Sequence, residues 1–348
     1  MKPIRIEAPY LILVGDEASE VYAKTAAGIV QWTPERVAGQ LRFTEAALDL
    51  GVPDMSIAQA RDAGVRSFII GAAPIGGVLP QSWWESVREA VDSGLDVVSG
   101  LHVRLRGNPE IVAAAKRSGS RLIDVRVPPT NLPIANGRKR SGKRVLMVGS
   151  DCSIGKKYTA LALHRAMQAA GFDATFRATG QTGIMIAGEG VPIDSVVADF
   201  IAGAAEIISP DNSADHWDVI EGQGSLFHPA YAGVSLGLLH GSQPDVIVVC
   251  HDASRTRISG WNDFPLPGIR ECIETNLAMG RLTNPDIYCA GVSINTSKLP
   301  PEERQAYLSG LSAEYGLPCV DPLIDGCDGI VQFLVNTVMK NKNEANGA

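Results

Sequence analysis

Short apolar runs alternate with longer stretches of helical periodicity along most of this chain. Tyr10–Val14, Ser67–Ile70, Asp96–Ser99 and Arg121–Val125 read as strands, and the stretches 56–63, 82–93 and 109–118 between them read as helices. A second series starts at Arg144. Its strands are Val145–Val148, Ala174–Arg177, Trp217–Ile220, Val246–Cys250 and Ile287–Ile294, with helices at 158–167, 195–206, 268–279 and 330–339. Largely apolar strands separated by helices predict βαβ units and parallel sheets. The stretch 127–143, rich in Pro, Gly and basic residues, reads as the join between the two series.

The second series opens on a motif with chemical content. Val145–Val148 runs into Gly149-Ser-Asp-Cys-Ser-Ile-Gly-Lys-Lys157, and a helix follows. Strand, glycine loop, lysine and helix make a P-loop. Its backbone N–H groups and the helix N-terminus cradle phosphate oxygens, and the lysine neutralises them. Gly149, Ser150, Asp151, Cys152, Ser153, Ile154, Gly155, Lys156 and Lys157 are therefore the expected phosphate site. Five residues separate the two glycines rather than four, and Lys157 stands where Ser or Thr would hold Mg²⁺. The fold expected is α/β. A Rossmann-like βα domain over 1–130 is followed by a linker over 131–143. A P-loop NTPase-like, doubly wound parallel-sheet domain covers 144–340, and a frayed tail covers 341–348.

Composition narrows the function. The chain has 348 residues, 45% hydrophobic and 20% charged, which suits two soluble domains. A net charge of −7 argues against nucleic-acid or anionic-membrane partners. No segment resembles a signal peptide, and no apolar run is long enough to span a bilayer. The six cysteines form no CxxC pair, so reduced thiols in a cytoplasmic enzyme are expected. Small-molecule substrates and a homo-oligomeric assembly complete this reading.

Further motifs cluster at strand ends. Trp217–Ile220 delivers Glu221, followed by Gly222-Gln-Gly-Ser225, at the edge where open α/β sheets bind ligands. Asn295 ends another strand, as a base reader or a turn former. Gly71–Gly77 is a second glycine-rich loop, without dinucleotide-binding spacing, and a plain turn is its leading reading. Trp83-Trp84 reads as core or interface.

The five-residue loop resembles that of dethiobiotin synthetase. Together with Lys24-Thr-Ala26, the Asp151-Cys152-Ser153 core, Arg177-Ala-Thr-Gly-Gln-Thr-Gly183 and Glu221–Ser225, the chain resembles the D-glutamate N-acetyltransferase family over nearly its whole length. That resemblance implies transfer of an acetyl group from acetyl-CoA to the amine of D-glutamate, with no metal required. The P-loop would hold the CoA phosphates and Asn295 the adenine. The alternative is an ATP- and Mg-dependent ligase or kinase like dethiobiotin synthetase. An amino-acid acceptor needs cationic partners for its carboxylates, and Arg177, Arg255 and Arg257 are candidates, with Gln181 and Thr182 in the adjoining glycine loop. Its ammonium must lose a proton, and His228, His251, Asp252, Glu221 and Glu189 are candidate bases. Cys152, at a helix N-terminus, opens a covalent acetyl-cysteine route beside a plain packing role.

Overall fold

The structure is a computed structural model, which describes residues 3–20, 22–73 and 79–346, with side chains through Thr337. The chain divides into two compact units, residues 2–130 with 180–195, and residues 131–179 with 196–348. The loop Gly71–Gly77 lies largely outside the described residues.

In the first unit the strands are β1 (Tyr10–Gly15), β2 (Val37–Arg42), β3 (Ser67–Ile70), β4 (Asp96–Ser99) and β5 (Leu122–Asp124). Helix α1 (Lys24–Trp32) follows β1, α2 (Ile57–Asp62) follows β2, α3 (Gln81–Asp92) follows β3 and α4 (Pro109–Ser118) follows β4. The sheet is parallel in the order β2-β1-β3-β4-β5, a doubly wound arrangement. Its core packs Leu11, Leu13, Phe68 and Val97 against Trp83, Val87 and Val91 of α3. The Trp83 indole N–H donates to Asp16 at 2.8 Å, so a large aromatic is buried with its polar atom satisfied.

The second unit holds β6 (Lys143–Gly149), β7 (Ala174–Arg177), β8 (Trp217–Ile220), β9 (Val246–Asp252), β10 (Tyr288–Asn295) and β11 (Cys319–Val320). They form one parallel sheet in the order β11-β10-β9-β6-β8-β7. Helix α5 (Lys156–Ala169) follows β6, and α7 (Ile201–Ile208) precedes β8. Helices α8 (Ala232–Ser242), α9 (Ile269–Gly280), α10 (Pro301–Tyr315) and α11 (Asp328–Asn346) complete the unit. The chain moves to one side of β6 first and the other side later, so the order reverses at β6. Ligands of such sheets bind outside the carboxyl ends at that reversal.

Three expectations change. The segment 180–195, including α6 (Gln181–Ala187), folds with the first unit. There Glu189–Gly190 pairs with Ile4–Arg5, and Arg36 donates to the Ala187 carbonyl at 2.8 Å. The basic stretch read as a linker is structured within the second unit. Arg140 is buried and donates to the carbonyls of Ser209, Gly241 and Ser242, while Lys139 pairs with Asp245 at 2.7 Å. The last helix continues to Asn346, through residues expected to fray. No described helix is long and apolar enough to cross a membrane.

Candidate functional site

The phosphate loop leaves β6 at Gly149, where no side chain fits. An added Cβ would lie 2.6 Å from Ile154 Cδ1 and 2.9 Å from the Cys250 carbonyl. The loop then turns through two left-handed residues, Ser153 at φ +53° and Gly155 at φ +105°. Gly155 sits directly before α5, whose first N–H groups lack intrahelical acceptors. Lys156 is buried, and its ammonium donates to the Asp151 carbonyl at 2.6 Å. Burial holds its pKa below the usual lysine value. A bound anion would offset that desolvation.

Asp151 ties the loop to its neighbours. Its fully buried carboxylate accepts from Cys152 N–H at 2.6 Å, from the Arg255 guanidinium at 2.6 Å and from Ser259 N–H at 2.8 Å. Arg255 also donates to the carbonyls of Cys152 and Ser153. Ser259 lies in the turn of a hairpin, Arg257–Ile258 paired with Trp261–Pro265. The Trp261 ring meets the His228 ring edge-on at 4.6 Å, and Tyr231 packs on His228 at 4.5 Å. Metal-ligating atoms of Asp151, Cys152 and His228 lie within 4.8 Å of one another. Both Asp151 oxygens are already committed to donors. Burial pushes the Cys152 thiol above its ordinary pKa, against the attraction of Lys156 and Arg255, so the covalent route lacks a ready thiolate.

The turn after β8 closes the other side. A Cβ on Gly222 would come 1.7 Å from the Met147 carbonyl and 2.9 Å from Lys156 Cδ. Glu221 is buried and accepts from Thr179 N–H at 2.9 Å. On the β9 side, His251 Nδ1 lies 3.0 Å from the Ser150 hydroxyl. Burial lowers its pKa below 6.5, with Asp252 opposing and Arg255 assisting. Asp252 is desolvated, which raises its pKa, but hydrogen bonds from Ser254 together with the Arg255 and Lys298 charges leave it lowered. A carboxylate so held is a weak base. Asn295 donates to Asp252 at 3.3 Å and accepts from Ser297 N–H, so it orders the β9–β10 edge.

The structure brings Ser150, Asp151, Cys152, Lys156, His228 and His251 together around the loop. It gives two of the candidate arginines partners within the fold. Arg177 donates through Nε to the buried Asp218 at 2.6 Å, and Asp218 lies inside β8 rather than at its carboxyl edge. Arg255 braces the loop itself. Each carries an internal carboxylate partner, the ordinary fate of a half-buried guanidinium. Gln181 and Thr182 belong to the first unit, where the Thr182 hydroxyl is 3.2 Å from that of Thr25. Thr159, the next hydroxyl after the Lys157 slot, is fully buried. It bonds the Gly155 carbonyl and the Ser293 hydroxyl, so it is not presented to a metal. Lys157 Nζ sits 4.4 Å over the Tyr158 ring. Sequence reasoning missed the hairpin after β9 and its tie to the loop. The signal available was the aromatic and glycine content of Ser259-Gly-Trp-Asn-Asp-Phe264.

Residues 133–331 match the family profile described as DUF1611, domain of unknown function, P-loop domain, and residues 38–128 match its Rossmann-like N-terminal counterpart. The chain belongs to this family. It is 46% identical over 329 residues to a protein of Tritonibacter scottomollicae named D-glutamate N-acetyltransferase, covering 94% of this chain and 99% of that one. A protein of the same name from a Pseudoalteromonas species is 46% identical over 331 residues, covering 95% and 100%. A crystal structure of a DUF1611 family protein from Anabaena variabilis superposes with a TM-score of 0.80 at 31% identity. That match covers 95% of this chain and 100% of that chain.

Proposed function

We propose that this protein is a D-glutamate N-acetyltransferase, that acetyl-CoA is its donor, and that the phosphate loop cradles the donor's diphosphate. The observation that carries the reaction is 46% identity, across nearly the whole length, to two proteins of that name. The cradle rests on the loop's own chemistry. Turned backbone, a helix N-terminus and a buried lysine suit a diphosphate. Lys157 in the hydroxyl slot and the buried Thr159 favour a metal-free ligand over Mg-nucleotide.

The chemistry asked of the chain is small. The acceptor ammonium must give up a proton. Its nitrogen then bonds the thioester carbon, the carbon–sulfur bond breaks, and the departing thiolate takes a proton. The arm between diphosphate and sulfur is about as long as four extended residues, roughly 14 Å, so a base on the loop's rim is within its reach. His251 suits that role. Burial favours its neutral form, and in the tautomer whose Nδ1–H donates to the Ser150 hydroxyl its Nε2 keeps a lone pair. His228 suits it less. Its Nδ1 accepts from Ala230 N–H at 3.1 Å, which places the neutral ring's proton on Nε2. Glu221, accepting from Thr179 N–H at 2.9 Å, serves in this reading to hold the turn at the end of β7.

The test is transfer itself. Purified protein is mixed with acetyl-CoA, EDTA and either D- or L-glutamate, and free thiol is followed. D-glutamate-dependent release in EDTA supports the reading. Absence of release with D-glutamate, with ADP formed from Mg-ATP instead, overturns it in favour of a ligase or kinase.

A further inference from the structure

The hairpin Arg257–Pro265 is fastened to the phosphate loop. Ser259 N–H donates to Asp151 at 2.8 Å, and Arg255, just before the hairpin, grips the same carboxylate. Trp261 locks the hairpin to His228 from the other side. A rim this firmly held presents what it exposes at a fixed place beside the cradle.

What it exposes includes a cation. Arg257 is exposed, and its guanidinium has no hydrogen bond or ion pair with any described residue. In a chain of net charge −7, with Arg177 and Arg255 each taken by a carboxylate, an unpaired arginine two residues from Ser259 stands out. CoA differs from ADP by its pantetheine arm and by a phosphate on the ribose 3′ oxygen. With the 5′-diphosphate in the loop, the 3′-phosphate needs a cation at the rim. Guanidinium suits it because its fork matches phosphate oxygens.

Resting on the acetyl-CoA reading above, we propose that Arg257 binds the donor's 3′-phosphate and thereby selects CoA thioesters over 3′-dephospho-CoA thioesters and ADP. The hairpin positions it through the Ser259 N–H bond to Asp151.

The experiment compares two donors on two proteins. Wild type and Arg257→Ala are each assayed with acetyl-CoA and with 3′-dephospho-acetyl-CoA, at saturating D-glutamate. In wild type, removing the 3′-phosphate should raise KM on the order of tenfold, as for one lost charged hydrogen bond. In Arg257→Ala the two donors should be used alike, both with the raised KM and with kcat kept. Arg257→Lys should recover part of the preference. Equal use of both donors by wild type overturns the inference, as does an Arg257→Ala defect of the same size with each donor. Either result leaves the acetyltransferase reading standing, whereas a wild-type protein that uses neither donor removes that reading first.

Discussion

Gly222→Ala probes whether the turn after β8 holds the phosphate loop's lysine in place. The new carbon would lie 1.7 Å from the Met147 carbonyl oxygen and 2.9 Å from Lys156 Cδ. Comfortable contacts are about 3.5 Å, so the first overlap is roughly 2 Å. Its partner is backbone of the central strand β6, which no rotamer change can move. Overpacking costs about 1–3 kcal/mol, and backbone contact at this distance puts the cost near 3. For a domain of this size that lowers Tm by about 6–12 °C. Because the second contact is the lysine stem, KM for acetyl-CoA should rise on the order of tenfold as well. Gly233→Ala is the control. A Cβ there meets nothing within 4 Å and lies in α8, so its stability should stay within about 1 kcal/mol of wild type. Thermal melts and donor titrations on both variants decide the matter. A Gly222→Ala protein with wild-type Tm and KM would refute the reasoning.

Two further predictions concern proton and thiol chemistry. The acid limb of kcat/KM should inflect below 6.5, because burial lowers the His251 pKa and the base form is lost only as pH falls through that lowered value. His251→Asn should cut kcat by about 10²-fold or more and erase that limb in a pH–rate profile, with little change in acetyl-CoA affinity. Cys152→Ala should keep kcat within a few-fold of wild type, since burial holds the thiol protonated. Complete loss of turnover, or an acetylated Cys152 by intact-protein mass spectrometry, would revive the covalent route.

The strands of both sheets were readable where they are apolar throughout, as in Val246–Cys250. β2 was not, because Val37-Ala-Gly-Gln-Leu-Arg42 mixes polar residues into an edge strand. Gln40 in that strand is buried, its amide donating to Asp49 and to the Val52 carbonyl. The basic stretch before β6 looked like a linker because its acceptors are distant carbonyls. The phosphate loop was legible because its chemistry is local, within Gly149–Lys157. The arginines were not. The Arg177 partner lies 41 residues away and the Arg255 partner 104 away, and both pairings exist only once the sheet forms. The hairpin itself left a trace in the aromatic and glycine content of Ser259–Phe264, but the meeting of Trp261 with His228, 33 residues away, exists only in the folded chain.

The most direct test of the central claim is calorimetric titration of acetyl-CoA, in EDTA, into wild type and Lys156→Met. Methionine suits a buried position, so the fold should hold, as circular dichroism would verify. If the loop cradles the donor's diphosphate, the variant should bind acetyl-CoA at least about tenfold more weakly. Equal affinity in a folded Lys156→Met protein would contradict the account.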